Sequence, residues 1–176
     1  MFGHAVLDPI AESDLMTNMQ WTSDTNLFAT EFLAEYMDIE LPEVEVPEPR
    51  RTRHDNTYAH LVRALRNVRT DDYLLAHEIR LMFRTARHLQ RVHEIGDAVV
   101  EADLDDLEQL LGWRPTSGEE GDAALERFVL ADADRGHYDE ELVKLFHRRN
   151  LRTHMLLGPP GSRMVAHRRM QPFPAT

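Results

Sequence analysis

The feature that most constrains the fold is a helical repeat of apolar residues in the middle of the chain. Over residues 70–95, apolar side chains recur at alternating steps of four and three positions, at Leu75, Ile79, Met82, Ala86 and Leu89. This spacing places them on one face of an α-helix, which Thr70 or Asp71 can cap at its N-terminus. The repeat therefore predicts a long amphipathic helix whose apolar face lies in the protein core.

Shorter repeats predict further helices on both sides of this one. Apolar residues recur at helical spacing over residues 24–38, 55–68, 97–111, 122–131 and 138–150. Gly96 is expected to separate the long helix from the helix over 97–111, whose Leu104 and Leu107 join the predicted core. No segment alternates apolar and polar residues with the period of two that indicates a β-strand. The sequence therefore predicts an all-α fold, a helical bundle of five or six helices with irregular N- and C-terminal arms.

The 176 residues are sufficient for one compact domain with arms. We expect an N-terminal arm over residues 1–22, a helical core over 23–155 and a basic C-terminal arm over 156–176. Within the core, residues 40–54 contain three prolines among acidic residues, so this stretch is expected to be an extended linker.

Charge is distributed in alternating blocks. The chain has 31 acidic and 20 basic residues, a formal net charge of −11. Residues 1–49 carry 11 acidic and no basic residues, and residues 92–141 carry 16 acidic and 3 basic ones; the basic residues concentrate in 50–91 and 142–176. Opposite blocks can pair within the chain, or a basic block can face a partner, and the composition is compatible with both interpretations.

The composition also excludes several classes of protein. The chain has no cysteine, which excludes disulfides, thiolate nucleophiles and cysteine-ligated metals. No stretch approaches the roughly 18 apolar residues of a membrane span. The first 14 residues lack the Lys or Arg of a secretory signal. We therefore expect a cytoplasmic protein that has no contact with a membrane.

Catalytic candidates are few. Glu78 and His88 lie on one flank of the long predicted helix, where both could face a cleft and His88 could act as a general base. The alternative is that they are polar residues at the edge of the core. The serines show no nucleophile motif, and no phosphate-binding loop is present. The isolated chain is therefore expected not to be catalytic, with an enzyme retained as an alternative.

Ten histidines raise the question of a metal site. Helical metal sites need ligands one turn apart, but neither His-x-x-x-His nor Glu-x-x-His occurs in the chain. Two candidate groups remain: Asp134, His137 and Glu141 at a predicted loop-to-helix junction, and His93 with Asp97 across the predicted helix end at Gly96. Both are equally typical of a helix cap and a polar surface. We expect no metal and no other cofactor.

Arginines form a ridge on the long predicted helix, at Arg80, Arg84, Arg87 and Arg91. The next predicted helix carries Glu101, Asp105 and Glu108 at matching spacing, so an antiparallel pairing of the two helices could neutralise both sets. The other interpretation is that the arginines bind an anionic ligand or a partner.

The C-terminal arm combines prolines, apolar anchors and arginines, a composition that favours binding along another protein. The residues predicted to contact that partner are Arg148, Arg149, Arg152, Met164, Arg168, Arg169, Met170 and Phe173. Nucleic acid is a less favoured partner, because the acidic blocks would repel a duplex.

These features lead to one principal hypothesis on function. We expect an accessory helical subunit, without catalytic activity of its own, that binds a larger protein or a second copy through its core and its arms. Two alternatives remain open: an enzyme with a His and carboxylate site between helices, with or without a metal, and a nucleic-acid-binding protein.

Overall fold

A computed structural model describes residues 14–172 of the chain. Within this range the chain forms five α-helices, α1 (Leu15–Tyr36), α2 (Asp55–Asn67), α3 (Tyr73–Leu111), α4 (Gly118–Asp132) and α5 (Asp139–Leu156). A short 3₁₀ turn follows at Arg163–Val165, and the described residues form no β-strand. The predicted all-α helical bundle is confirmed.

The long helix α3 is the centre of the bundle. Its 39 residues pack against α2, α4 and α5, and more lightly against α1, while α1 packs mainly against α5. Asp72 caps the N-terminus by accepting hydrogen bonds from the N–H groups of Leu74 and Leu75. The helix ends at Gly112, whose φ of 77° is left-handed and therefore suits glycine.

The expected helix break at Gly96 is wrong, because α3 runs through this residue without interruption. A glycine inside a helix costs only about 1 kcal/mol relative to alanine. The flanking side chains of Ile95 and Val99 are both buried, and their packing holds the backbone helical on either side. The two helices predicted over 70–111 are therefore one.

The first helix begins earlier than expected, at Leu15 instead of near residue 24. Asp14 caps it by accepting a hydrogen bond from the N–H of Thr17, over 3.2 Å between nitrogen and Oδ1. Its buried face mixes apolar and polar residues, Met16, Ser23, Leu27, Thr30, Glu31 and Ala34. Because half of that face is polar, a search for apolar periodicity misses the first turns of the helix.

The buried core is smaller than the apolar repeat predicts. One cluster, formed by Leu107, Leu125, Leu142 and Leu145, lies where α3, α4 and α5 meet. In the long repeat Ala86 is buried, but Leu75, Met82 and Leu89 are 43–53% exposed, so their assignment to the core is wrong. The reason is that α2 covers one side of α3, and α1 and α5 cover another, which leaves a third side open.

The connection between α1 and α2 crosses α3 in an extended conformation. Residues 39–52 form neither helix nor strand. Leu41 is buried beside Val143 of α5. At the other end, the N–H of Arg50 donates to the carbonyl oxygen of Glu94 over 2.8 Å, and its guanidinium group pairs with Asp97 at 2.6 Å. Both ends of this connection are therefore attached to the bundle.

Candidate binding surface

Three of the arginines predicted to contact a partner lie in ion pairs within the chain. Arg148 and Arg152 of α5 both bind the buried Asp106 of α3, with 2.6 Å between Nη1 of Arg152 and Oδ2 of Asp106. Arg149 pairs with Asp122 of α4 at 2.5 Å. The guanidinium groups of α5 therefore join the last three helices and are occupied by intramolecular partners.

The C-terminal segment folds back on its own bundle. The carboxylate of Glu31 on α1, which is 4% exposed, accepts hydrogen bonds of 2.8 Å from Nε2 of His167 and from the N–H of Met170. The sulfur of Met164 accepts a hydrogen bond from Nε of Arg84 on α3. The part of the arm that we expected to extend over a partner is thus attached to α1 and α3.

Two arginines of this segment that were predicted to contact a partner remain at the surface. Arg168 and Arg169 are exposed, and neither forms a hydrogen bond or an ion pair within the described range. Phe173, the remaining predicted contact, lies outside the described residues. Of the predicted partner-binding set, these two side chains are the ones that the bundle leaves available.

A cluster of histidines lies where α1, α5 and the C-terminal segment meet. His147 and His154 are buried, and the rings of His154 and His167 are 5.9 Å apart between centroids. Burial lowers the pKa of both His147 and His154. The neutral form of His147 and of His154 is therefore favoured in the core, and the sequence contained no spacing that would reveal the cluster.

Ser23, His154 and Asp24 bring the residue types of a hydrolase triad together without its geometry. Oγ of Ser23 lies 2.9 Å from Nδ1 of His154, and Oδ1 of Asp24 lies 3.7 Å from the same nitrogen. A triad needs the serine and the carboxylate on opposite ring nitrogens. The other nitrogen of His154 is buried beside the backbone of Val165, away from any carboxylate, and Ser23 is also buried. This group cannot reach a substrate and has a structural role.

The two catalytic candidates are not brought together. Nδ1 of His88 donates to the carbonyl oxygen of Leu156 over 2.8 Å, which attaches α3 to the end of α5. Glu78 is exposed and lies ten residues away on the same helix, about 15 Å along its axis. The structure therefore gives His88 a contact with α5 and places Glu78 at the surface.

The metal candidates are also dispersed. Asp134, His137 and Glu141 are all exposed, and the nearest carboxylate to Nδ1 of His137 belongs to Asp132, at 3.7 Å. Across residues 14–172, no three His, Asp or Glu side chains are grouped so that they could hold a metal ion.

The arginine ridge of α3 divides into occupied and open positions. Arg91 is 3% exposed and donates to the carbonyl oxygen of Met155, and Arg84 donates to Oγ1 of Thr17 over 2.8 Å. Arg87 bonds to Gln90 on the same helix. Arg80, in contrast, forms no hydrogen bond or ion pair with the described residues and lines a surface groove.

The acidic residues that we expected to neutralise this ridge have another partner. They follow the arginines on the same uninterrupted helix, so the antiparallel pairing is wrong. Arg114, just beyond the end of α3, instead binds Asp105, Glu108 and Glu101. These hydrogen bonds raise the pKa of Arg114.

The open side of α3 carries a row of exposed apolar residues, which we call the apolar stripe, and the exposed Glu78 lies in the same sector. Its members are 38–71% exposed and are Leu74, Leu75, Met82, Leu89, Val92 and Val100. At 100° per residue they fall within a sector of about 100°, and they extend over about 39 Å of the helix. The sequence revealed the repeat that contains Leu75, Met82 and Leu89, and the fold shows that the described residues leave these three side chains 43–53% exposed.

A groove opens between the end of α2 and the start of α3. It has a volume of about 570 Å³ and is lined by Leu65, Arg66, Val68, Arg69, Thr70, Ala76, Ile79, Arg80 and Phe83. We call it the arginine groove. Its floor is apolar, three of its lining residues are arginines, and none is acidic.

The chain matches no protein-family model, no curated protein and no solved structure. Among the described helices, none is both long enough and apolar enough to span a membrane.

Proposed function

We propose that this chain is a cytoplasmic, non-catalytic accessory subunit that binds a larger protein or a second copy of itself. The apolar stripe of α3 is the observation that supports this function. Large apolar side chains exposed together on one face of a protein usually mark an interaction site. A helix that is packed on its other sides presents the stripe as a rigid face, so little conformational entropy is lost on binding.

Exposed aromatic residues extend the same argument. Trp21 and Tyr36 on α1, and Tyr73 at the start of α3, are more than 70% exposed. Tyrosine and tryptophan are enriched at protein interfaces, because they bury a large area with few rotatable bonds. Arg168 and Arg169 supply exposed cations for carboxylates of a partner.

Photo-crosslinking from the stripe tests this function. A benzoylphenylalanine introduced at Met82 of the full chain, in cells that naturally produce it, should yield a discrete crosslinked product after irradiation. The control places the same group at Leu130 of α4, which is also apolar and is 70% exposed, but lies away from the stripe. Mass spectrometry then identifies the product as a dimer or as a complex with a larger protein.

A stability measurement separates binding from folding. Met82 is 53% exposed, so Met82→Asp should leave the helical circular dichroism and the melting temperature nearly unchanged. The same substitution should abolish the assembly in which the chain takes part, because it places a charge in an apolar interface. Equal crosslinking at positions 82 and 130, together with unchanged assembly of Met82→Asp, would contradict the proposed function.

A further inference from the structure

The arginine groove holds two cations without intramolecular partners. Arg66 and Arg80 line it, and neither side chain forms a hydrogen bond or an ion pair with any residue in the described range. Arg69 differs, since its Nη1 donates to the carbonyl oxygens of Arg66 and Val68 at the end of α2, over 2.8 and 2.9 Å. The groove therefore keeps two guanidinium groups available beside an apolar floor.

Asp71 and Asp72 follow the groove residue Thr70 in sequence, and neither forms an ion pair with these two arginines. Asp72, in the turn that closes the groove, is occupied with the N–H groups that begin α3. Guanidinium groups bind carboxylates with directed, charge-assisted hydrogen bonds. A ligand that fits the groove thus combines apolar side chains with carboxylates.

The chain itself carries an exposed segment with this chemistry, at residues 40–49, which we call the acidic segment. Its glutamates are all exposed and form no hydrogen bond or ion pair with the described residues; they are Glu40, Glu43, Glu45 and Glu48. Val46, between them, is 49% exposed. Three prolines restrict the segment before it binds, which reduces the entropy lost on binding.

The acidic segment cannot enter the groove of its own chain. Leu41 is buried against α5, and the backbone of Arg50 is bonded to Glu94 of α3. Glu94 is eleven residues beyond Phe83 of the groove, about 16 Å farther along the helix axis. The segment is thus held away from this groove in its own molecule, while its glutamates face outward.

We propose that the arginine groove of one copy binds the acidic segment of a second copy. Arg66 and Arg80 form ion pairs with the glutamates, and valine side chains of the segment cover the apolar floor. In a twofold symmetric dimer this contact forms twice. The inference rests on the proposed function, and it specifies a second copy as a partner.

Carbodiimide crosslinking identifies the occupant directly. Lys144 is the only lysine of the chain, so Arg80→Lys places one additional side-chain amine in the groove of the full chain. Activated carboxylates should then form an amide between Lys at position 80 and a glutamate of the acidic segment. In a mixture of isotope-labelled and unlabelled chains, the linked peptides should come from different molecules. A link to residues 1–13, to another protein, or only within one molecule overturns the proposal.

Charge reversal tests whether the contact supports association. Arg66→Glu with Arg80→Glu, and separately Glu43→Arg with Glu45→Arg, should each weaken dimerisation more than about tenfold in sedimentation velocity at low salt. An equimolar mixture of the two variants should restore it, because each groove then faces a segment of opposite charge. Arg127→Glu with Arg135→Glu, the same change of charge at exposed sites on and after α4, should have no such effect.

Failure of the groove contact can be distinguished from failure of the proposed function. A wild-type chain that stays monomeric up to high micromolar concentration overturns the dimer contact, and so does a mixture that does not restore association. Either result leaves the proposed function intact if Met82 still crosslinks to a larger protein. The opposite result is also possible: the mixture restores dimers, but position 82 gives no crosslink and Met82→Asp does not weaken assembly. That result supports the groove contact and contradicts the proposed role of the apolar stripe.

Discussion

Arg152 of α5 and Asp106 of α3 form an ion pair inside the molecule, with each side chain only 10% exposed. Asp106 also binds Arg148, with 2.9 Å between Nε of the arginine and Oδ2 of the aspartate. Asp106 and Arg152 belong to charge blocks of opposite sign, 92–141 and 142–176. At this point in the chain, the alternation of charge is used to hold the bundle together.

Removing the charge of Asp106 should be strongly destabilising. Asp106→Asn leaves two arginines with a neutral acceptor in a poorly hydrated site, and breaking a buried pair costs about 3–5 kcal/mol. The neighbouring Asp105 is a matched control, because it is exposed and pairs with Arg114 at the surface. Asp105→Asn should cost less than about 1 kcal/mol. Urea denaturation measures both, and equal losses would contradict the structural role of Asp106.

The histidine cluster should make the fold sensitive to mild acid. Burial holds the pKa of His147 and His154 below the value of about 6.5 that unfolded histidine has. Between the pKa of these histidines in the folded chain and their pKa in the unfolded chain, the unfolded chain binds more protons than the folded one. The free energy of unfolding therefore rises with pH and levels off above about pH 7. The contribution of these two histidines to stability is therefore lost progressively as the pH falls below about 6.5.

Histidine substitutions isolate this effect. In a variant with His147→Gln and His154→Gln, the free energy of unfolding should vary less between about pH 5.5 and 7.5 than in the wild type, where each histidine contributes at most about 1.4 kcal/mol per pH unit. His77→Gln, at an exposed position of α3, should keep the wild-type slope. Denaturation across this range measures the slope, and an unchanged slope in the double variant would refute the assignment.

The C-terminal segment should contribute to the stability of the bundle. His167→Ala removes one of the two hydrogen bonds given to the buried Glu31 and should lower the free energy of unfolding by about 1–3 kcal/mol. Arg168→Ala, at the exposed next position, should stay within about 0.5 kcal/mol of the wild type. Thermal denaturation compares the two. A segment that is independent of the bundle would give the same melting temperature for both variants.

Two glycines should respond in opposite directions to alanine. Gly96→Ala should stabilise the protein by about 0.5 kcal/mol, because alanine favours the helix, and the new Cβ meets only the side chain of Val92, which is partly exposed and has its Cγ1 at 3.2 Å. Gly112→Ala should cost about 1–2 kcal/mol, because φ there is 77°. A loss of stability at Gly96 would contradict this expectation and would show that Val92 cannot yield to the added Cβ.

Parts of the candidate surface could be read from the sequence, and other parts could not. The spacing of Leu75, Met82 and Leu89 was visible, as was the exposed pair Arg168 and Arg169. The arginine groove could not be predicted from the sequence, because its floor combines residues of two helices that meet only after the turn between them forms. The polar buried face of α1 gave no signal either, since Ser23 and Glu31 find their partners more than 130 residues away.

The sequence by itself determined that the chain is helical and where most helices lie, because helical spacing, caps and prolines act within a few residues of one another. Only the tertiary structure decided which side of α3 is buried. Arg91 lies inside because Met155 supplies a carbonyl oxygen and Glu94 a carboxylate, while Met82 stays outside because no described helix covers it. Periodicity shows which residues share a face; it carries no information on what covers that face, since the covering groups come from distant parts of the chain.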